Sequence, residues 1–415
     1  MGIYIFLTHS IANIGGAEIY LRNKSNYLKK EGWKTYIFSC TKGDIIISDL
    51  KEYEKYIIPD LFIPPILFNK STINNLVGKI LGNIESNDNV HNIIIESCNL
   101  YVALWGELIA EKLNAKHLIF SLQENDKIAS EGLFDFLSFK FHRKELAGIT
   151  PKSLQYLFKP FFNIPPEQSY YLHAFCNNPV EDIDLTQLNH DKFHADYIIG
   201  NLGRLNKPYL NIAINDILDF TSKHKNLNFI VYLIGGCNKK NRIEKKIKKK
   251  FDKSPNVRLI ITGYIYPIPL SLIMKLDVAL CSAGSVIVTS NLGIPTISYS
   301  SHDLQPLGVF GYTTHNSLYR DKEPIIGGSN LLNDILIKKM YTKNKCNFKP
   351  IEYDFSSHLD FINKSTTDKK YFQINKYSYN FIEKLCALIL HIGDFKTFKG
   401  DIILRKIVRR FITHI

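Results

Sequence analysis

The sequence lacks the marks of a disulfide scaffold, a secreted protein and a membrane-spanning protein. Its seven cysteines are scattered and odd in number, and no two have the C-x-x-C spacing of a zinc or redox site, which indicates a reducing compartment. Residues 1–7 have no basic stretch before their apolar run and do not fit a secretory signal. No stretch approaches the roughly 20 apolar residues of a transmembrane helix. We therefore predict a cytoplasmic protein, soluble or peripheral on the inner face of the plasma membrane.

The sequence also lacks the glycine-rich motifs by which dinucleotide and ATP sites are recognised. No G-x-G-x-x-G occurs, and Gly235-Gly236 lacks the Gly-Lys-Ser/Thr ending of a P-loop, so neither an NAD site nor an ATP site is indicated. Asp182-Ile183-Asp184 has the Asp-x-Asp spacing of a metal-binding pair, but no predicted strand precedes it to aim it at a site. We predict no cofactor and no metal.

The composition is that of a large globular protein with excess positive charge. Of 415 residues, 45% are hydrophobic, and 52 Lys and Arg against 39 Asp and Glu give a net charge of +13. This charge indicates an anionic partner: a phosphorylated ligand, an acidic lipid surface or a nucleic acid. The lysine run 239–250 has only Phe251 as an aromatic neighbour, so a nucleic-acid groove, which interleaves basic and aromatic side chains, is not predicted.

Short apolar runs alternate with longer helical stretches, which predicts parallel sheets covered by helices on both faces. Strand-like runs lie at 3–7, 34–39, 91–95 and 116–122, and again at 197–201, 228–234, 256–260, 277–281 and 296–299. We predict an α/β protein with two Rossmann-like, doubly wound domains facing a cleft. The predicted ranges are 1–180 for the N-terminal domain, 181–194 for a linker, 195–345 for the C-terminal domain and 346–415 for an extension.

Open parallel sheets bind ligands outside the carboxyl ends of their strands, so the loops after strands are the candidate sites. Gly15-Gly16 lies between the first strand and a helix, and Ser282-Ala283-Gly284-Ser285 lies between a later strand and a helix. Both loops suit a diphosphate, because glycine lets the backbone approach a ligand and a helix start offers free N–H groups. The alternative for the Gly15-Gly16 loop is a tight strand-to-helix turn.

Basic and aromatic side chains follow two other strands of the second domain. Arg204 and Lys207 come directly after strand 197–201, where Arg204 can grip phosphate oxygens with two hydrogen bonds and Lys207 adds a point charge. They are otherwise solvated surface cations. Tyr264 follows the strand that ends near Ile261, and its ring either meets a flat base or packs against the protein.

In the first domain, polar groups follow three strands: His9, Glu96 and the stretch 121–126. A carboxylate in a cleft can take the proton from an attacking hydroxyl, although a single carboxylate is as readily a helix cap. Glu124 and Asp126 follow one strand together, so we predict them as catalytic residues, with Glu124 ahead.

In order along the chain, Ile14-Gly15-Gly16-Ala17-Glu18, Gly203-Arg204-Leu205 with Lys207, and Gly293-Ile294-Pro295 resemble the motifs of GT-B fold glycosyltransferases with a Gly-Gly-Ala-Glu loop. The stretches 283–295, 301–303 and 308–314 look like a divergent branch that decorates bacterial surface polysaccharides. The resemblance implies a metal-independent glycosyltransferase of capsule or lipopolysaccharide assembly, with a nucleotide-sugar donor and a glycan or lipid-linked acceptor.

The resemblance also implies roles for the two domains and for named residues. The N-terminal domain takes the acceptor side, and the C-terminal domain holds the nucleotide-sugar. Arg204 and Lys207 would meet the diphosphate, and the loop with Gly15, Gly16 and Glu18 would close over it from the first domain. Tyr264, Ser282, Gly284 and Ser285 complete the predicted donor site.

Two departures from the resemblance leave the stereochemical outcome open. Retaining members carry two glutamates before the Gly-x-Pro element, whereas no acidic residue lies between Asp277 and Asp303 here. Gln123 stands where many relatives have a histidine.

The second function that stays open is a nucleotide-sugar 2-epimerase on the same fold. Such an enzyme needs several acids and a histidine around the sugar, and the sequence offers His9, Glu96, Glu124 and His302. The Gly-Gly-Ala-Glu loop argues against it.

The end of the chain has the pattern of a basic amphipathic helix. Apolar residues recur at helical spacing within 401–415, and four basic residues occupy the other side. Two interpretations are open: the helix lies in an acidic membrane surface, or it packs back on the first domain, as the resemblance implies.

Overall fold

The computed structural model describes residues 2–84, 92–123, 126–183, 193–237, 240–343, 353–365, 368, 370–394 and 408. The chain divides into two units. The first unit comprises Met1–Ala12, Tyr20–Phe175 and Tyr353–Ile415, and the second comprises Asn13–Ile19 and Cys176–Glu352. These units differ from the predicted ranges at three places. The loop at 13–19 and residues 176–180 group with the second unit, and the tail from 353 groups with the first.

The first unit contains a five-stranded parallel sheet in the order β2-β1-β3-β4-β5. Its strands are β1 (Gly2–Ser10), β2 (Lys34–Thr41), β3 (Asn92–Ser97), β4 (Lys116–Ser121) and β5 (Leu146–Gly148), and its helices are α1 (Gly16–Lys30), α2 (Lys70–Leu81), α3 (Ala103–Leu113), α4 (Glu131–His142) and α5 (Pro151–Phe158). The first seven residues of β1 are all buried, as expected for a parallel strand covered on both faces.

The second unit contains a six-stranded sheet in the order β13-β12-β11-β7-β8-β9, parallel except for β13. Its strands are β7 (Tyr197–Leu202), β8 (Phe229–Ile234), β9 (Val257–Gly263), β11 (Val278–Cys281), β12 (Thr296–Tyr299) and β13 (Pro306–Val309), and β6 (Val180–Glu181) pairs with β10 (Ile268–Pro269) beside it. Its helices are α6 (Leu210–Lys223), α7 (Lys240–Phe251), α8 (Leu270–Met274), α9 (Gly284–Asn291) and α10 (Gly328–Leu336).

Alternate residues of the second sheet enter two separate cores, one on each face. Val231 and Leu233 of β8 belong to one core, and Tyr232 and Ile234 belong to the other. This alternation follows from the two-residue period of a strand. Both faces are apolar, so the sheet is covered by helices on both sides, as the continuous apolar runs predict.

The strand order of the second sheet has its reversal between β7 and β11. From β7 the chain moves outward through β8 and β9, then returns to place β11 on the other side of β7. The two strands pair in parallel, Val278 with Ile199 and Ala279 with Gly200. Ligands of open α/β sheets bind outside the carboxyl ends of the strands at this reversal, so it locates the candidate site.

The tail belongs to the first unit through α11 (Ser356–Lys364), α12 (Phe381–Asp394) and the chain between them. Tyr371 donates its hydroxyl to the Ala115 carbonyl at 3.0 Å, and the Phe372 N–H donates to the Glu107 carboxylate at 2.7 Å. Val408 is buried in the first unit's core, and the other positions of 401–415 lie outside the described residues. Across the described helices, none combines the length and the apolar character needed to cross a membrane.

Candidate functional site

The loops that follow β7 and β11 emerge side by side at the reversal of strand order. Beyond the last backbone pair, the buried Asn201 donates its Nδ2 amide to the Leu280 carbonyl at 2.5 Å and to the Tyr209 hydroxyl at 3.0 Å. The side chain therefore continues the link between β7 and β11 where the ladder stops. The sequence analysis missed this role of Asn201. The one sign of it in the sequence is a polar residue near the end of an apolar strand.

Close packing of glycines joins the loop after β7 to the loop after β8. A β-carbon on Gly235 would lie 2.0 Å from the Gly203 carbonyl oxygen, and Gly235 has a φ of +150°. The Leu205 N–H donates to the Gly236 carbonyl at 3.0 Å. Gly235 thus allows the loops after β7 and β8 to pack together, because only glycine adopts this backbone conformation and leaves room for the Gly203 carbonyl.

Tyr264 lies in the loop after β9 and packs on Gly236. A β-carbon on Gly236 would come within 2.8 Å of the Tyr264 ring, so the ring lies directly against backbone. The ring is half-buried, and a stacking contact with a base remains a prediction.

The loop of Gly15 and Glu18 converges on Arg204. A β-carbon on Gly15 would lie 2.7 Å from Glu18 Oε2 and 3.5 Å from the Arg204 guanidinium carbon. A β-carbon on Gly16 would lie 3.5 Å from the Cys176 side chain, an ordinary contact distance. Because glycine has no side chain, the Glu18 carboxyl and the Arg204 guanidinium can both approach the backbone at Gly15.

The charges of this cluster favour an anion. Burial raises the pKa of Glu18 to about 7, against opposing effects of its own backbone N–H and of Arg204. Arg204 is exposed, and its guanidinium forms no hydrogen bond or ion pair with any residue that the structure describes. Lys207 is half-buried, and its N–H donates to the Arg204 carbonyl at 3.1 Å. Arg204, which has no hydrogen-bond or ion-pair partner in the described part of the chain, thus lies beside Glu18, an acid that is half neutral at pH 7.

The small-residue loop after β11 leads directly into α9. Ser282 is buried, with its Oγ 3.3 Å from Ser301 Oγ. Gly284 opens the helix, and a β-carbon there would lie 2.7 Å from Asn177 Oδ1. Ser285 is in the first turn, beside backbone N–H groups that lack intrahelical partners. The loop therefore places two hydroxyls and a helix start after a strand that adjoins β7.

Ala283 holds this turn in a strained conformation. Its φ is +57° and its ψ is −135°, a combination that glycine adopts readily and alanine does not. Its N–H donates to the Ser317 carbonyl at 2.6 Å. The hydrogen bond and the start of α9 together hold Ala283 in a backbone conformation that alanine otherwise disfavours.

Ala283→Gly is expected to raise the free energy of unfolding by about 1 kcal/mol, because it removes the strain at a modest entropic cost. Urea unfolding measures the change. Ala213→Gly in α6, where the alanine is helical and buried, is the control and should lower stability. A loss of stability in Ala283→Gly as large as in the control would contradict the strain.

Of the two predicted catalytic residues in the first unit, only Asp126 is described. Ser121, at the end of β4, donates its hydroxyl to Asp126 Oδ2 at 2.7 Å, and Asp126 is half-buried. Its carboxylate is thus positioned at the carboxyl end of a strand, as predicted. Glu124 lies outside the described residues.

Glu96 is not a ligand-facing acid. Its side chain is fully buried in an ion pair with the equally buried Lys24, at 2.5 Å. The hydroxyls of Tyr4 and Tyr20 donate to its two oxygens at 2.5 Å each. The expectation that Glu96 projects from a strand end toward a sugar is therefore wrong: it lies within β3 and serves the interior of the first unit.

The histidines of the epimerase alternative differ in exposure. His9 is the penultimate residue of β1. It lies against the Phe62 ring, with 5.3 Å between the ring centroids, and burial lowers the pKa of His9. His302 is exposed in the loop after β12. Within the described part of the chain, no group of three His, Cys, Asp or Glu side chains is placed to hold a metal ion, and Asp184 of the Asp-x-Asp pair lies outside it.

No protein-family model and no curated protein sequence matches this chain. Solved structures do. A glycosyltransferase from Rickettsia africae ESF-5 matches with a TM-score of 0.56 and 16% identity, covering 88% of this chain and 95% of that chain. HepE from Anabaena, in complex with UDP, matches with a TM-score of 0.50 and 12% identity, covering 82% and 90%. These likenesses confirm the predicted fold class: two Rossmann-like, doubly wound α/β units, the fold of GT-B glycosyltransferases.

Proposed function

We propose that this protein is a glycosyltransferase that moves a sugar from a nucleotide-sugar donor to a hydroxyl of a glycan or lipid-linked acceptor. The observation that carries the proposal is the guanidinium of Arg204 beside Gly15, at the reversal of strand order in the second unit, with no hydrogen-bond or ion-pair partner among the described residues. Departure of a nucleoside diphosphate builds up negative charge, and a cation held in place stabilises that charge.

Each part of the second-unit cluster has a role in the proposed reaction. Arg204 and Lys207 bind the diphosphate oxygens, and the N–H groups at the start of α9, with the hydroxyls of Ser282 and Ser285, bind the same group from β11. The backbone at Gly15 and Gly16 approaches the donor closely. Glu18 in its neutral form donates a hydrogen bond to an anion. Tyr264 meets the base.

The chemistry needs one bond to form and one to break at the anomeric carbon of the sugar. The acceptor oxygen bonds to that carbon as the bond to the diphosphate oxygen breaks, and the nucleoside diphosphate leaves with the electron pair. The acceptor proton passes to a carboxylate, for which Asp126, held by Ser121, and Glu124 are the candidates. Asp126→Asn should then lower kcat more than donor affinity.

The likenesses and the motifs support a proposal for the donor and the biological setting. HepE from Anabaena was solved with UDP, which supports a nucleoside diphosphate as the leaving group, and UDP is the first ligand to test. The stretches 283–295, 301–303 and 308–314 support a bacterial capsule or lipopolysaccharide as the product. We propose that the reaction takes place in the cytoplasm, where nucleotide-sugars are the donors for such glycans, and that it needs no metal or cofactor.

Arg204→Ala is expected to weaken UDP binding by about 1.5–3 kcal/mol, the range for a hydrogen bond to a charged group. Calorimetric titration measures the change. Lys253→Ala is the matched control. Lys253 is exposed just before β9, at the amino ends of the strands of the same sheet, whereas Arg204 lies at their carboxyl ends. Equal affinity in Arg204→Ala and the wild type would remove Arg204 from the site.

Product analysis separates glycosyl transfer from the epimerase alternative. Incubation with UDP-sugars should release UDP, faster with an acceptor glycan present. An epimerised sugar on an intact diphosphate, formed without acceptor, would establish the epimerase instead. The burial of Glu96 with Lys24 removes one of the acids that the alternative requires.

A further inference from the structure

Helix α12 is apolar on two opposite faces. Cys386 and Leu390 lie in the core of the first unit, and the buried Glu383 accepts hydrogen bonds from Ser130 and Tyr377. These positions form the inward face. A helix on a protein surface normally turns a polar face outward.

The outward face of α12 is a stripe of large apolar side chains. Phe381 is 80% exposed, Leu388 57%, Ile382 43% and Leu385 42%. Phe381, Leu385 and Leu388 follow one another at spacings of four and three residues, so they lie in one row along the helix. Contiguous exposed apolar surface of this kind marks an interaction site.

Basic charge accompanies this stripe. Lys384 is exposed on the same helix, and Lys376 is exposed just before it. The sequence that follows α12, 395–415, contains six lysines and arginines and a single acidic residue, Asp401. An apolar row with basic residues beside and after it is the pattern of a segment that lies on an anionic lipid surface.

The same charge argues against a second copy of the chain as the occupant. Two copies meeting through α12 would bring like charges together. The four exposed fractions also amount to little more than two whole side chains, far below the roughly 800 Å² that each partner of a stable dimer buries. A bilayer interface accepts a narrow apolar row, because it needs only partial insertion.

We propose that α12 docks the first unit on an anionic membrane surface, with Phe381, Leu385 and Leu388 entering the interface and the basic residues beside them binding lipid headgroups. This inference does not rest on the proposed function. It extends the expectation of peripheral membrane association from the end of the chain to a specific helix face.

Flotation of the full chain with lipid vesicles tests this docking. The wild type should bind vesicles that contain phosphatidylglycerol and bind neutral phosphatidylcholine vesicles much more weakly, and added salt should weaken binding. Leu385→Ser/Leu388→Ser should lower the partition coefficient at least about tenfold, because burial of each leucine in the interface is lost. Lys384→Glu should lower it as well, without any loss of apolar surface.

The matched control is Ile325→Ser, which removes a 73% exposed isoleucine in the second unit and should leave vesicle binding unchanged. The proposal fails if the wild type does not float, or if Leu385→Ser/Leu388→Ser floats like the wild type. It also fails if that variant changes the oligomeric state in gel filtration, which would identify a second copy as the occupant. Sugar transfer to a soluble acceptor should be the same in the variant and the wild type, so this test and that of the proposed function are independent.

Discussion

Lys24→Met is expected to lower the free energy of unfolding by about 3–5 kcal/mol, the cost of leaving a buried charge without its partner. Lys24 and Glu96 are both fully buried, and Lys24 Nζ also donates to Tyr4 and Tyr20 at 2.8 and 3.0 Å. Methionine fits the same volume but supplies no charge and no donor. Urea unfolding measures the loss, which is the largest that we predict.

The Lys24 cluster also ties the tail to the first unit. His358 Nε2 donates to the His173 carbonyl at 2.9 Å, because a carbonyl can only accept. Its Nδ1 is therefore unprotonated and lies 3.1 Å from Lys24 Nζ. The three N–H groups of Lys24 are shared among this nitrogen, Glu96 and the two tyrosine hydroxyls. Burial, and then the charge of Lys24, lower the pKa of His358 to about 2, so the ring stays neutral. Lys24→Met should consequently expose α11 to proteolysis before the sheet.

Two variants separate the charge pair from general packing. Lys24→Met/Glu96→Leu removes both charges and should recover part of the stability that Lys24→Met loses. The recovery is incomplete because the buried hydroxyls of Tyr4 and Tyr20 lose their acceptor. Lys29→Met breaks the pair with Glu52, whose side chains are 38% and 55% exposed, and should cost less than about 1 kcal/mol. A loss in Lys24→Met no greater than that in Lys29→Met would show that the buried pair does not stabilise the first unit.

Glu18→Gln is expected to make the protein more stable than the wild type above pH 7, by up to about 3 kcal/mol. The pKa of Glu18 rises from an ordinary 4.5 to about 7, chiefly through burial. Between these values the folded state keeps a proton that the unfolded state has lost, so wild-type stability falls as the pH rises through this window. Glutamine stays neutral, so the two proteins should be equally stable near pH 4.5 and diverge up to pH 7.

Glu323→Gln is the control with the opposite sign. Burial raises the pKa of Glu323, but the Asp321 N–H and the Thr314 and Asn316 side chains outweigh it and lower this pKa to about 2. The Glu323 carboxylate stabilises the fold at pH values above its pKa in the unfolded chain. Glu323→Gln should therefore be less stable than the wild type at neutral pH and approach it as the pH falls toward 2. Identical pH profiles for Glu18→Gln and the wild type would show that Glu18 is not a buried acid.

The titration of Glu18 also bears on ligand binding. Below pH 7 Glu18 is mostly neutral, so the positive charge of Arg204 is not offset by a neighbouring carboxylate. Above pH 7 the Glu18 carboxylate is charged and repels a diphosphate. On the proposed function, UDP affinity should therefore fall as the pH rises through 7 in the wild type and fall less in Glu18→Gln.

The sequence was a good guide to the strands and a poorer guide to how segments group. Strands such as 197–201 and 296–299 were recognised because a buried parallel strand is apolar throughout. The edge strands β5 and β13 were missed for two reasons. The first has only three residues, and the second, Pro306–Val309, contains a proline and a glycine, which are typical of turns. The return of the tail to the first unit depends on contacts such as that of His358 with Lys24, which no local pattern encodes.

The candidate site could be predicted where it depends on topology and not where it depends on contacts. The rule for strand ends placed Arg204 and the Ser282–Ser285 loop at one edge of a sheet, and the order of β11 and β7 makes their loops neighbours. The roles of Asn201 and Gly235 were missed, because a side chain that bridges two strands and a glycine that contacts another loop show nothing in sequence. The raised pKa of Glu18 depends on burial, which is likewise a property of the fold.

A crystal structure of the protein with UDP tests the central claim most directly. Our account predicts diphosphate oxygens within hydrogen-bond distance of the Arg204 guanidinium and of backbone N–H groups at the start of α9. Nucleotide bound elsewhere, such as at the carboxyl end of the first unit's sheet with Arg204 in solvent, would contradict it.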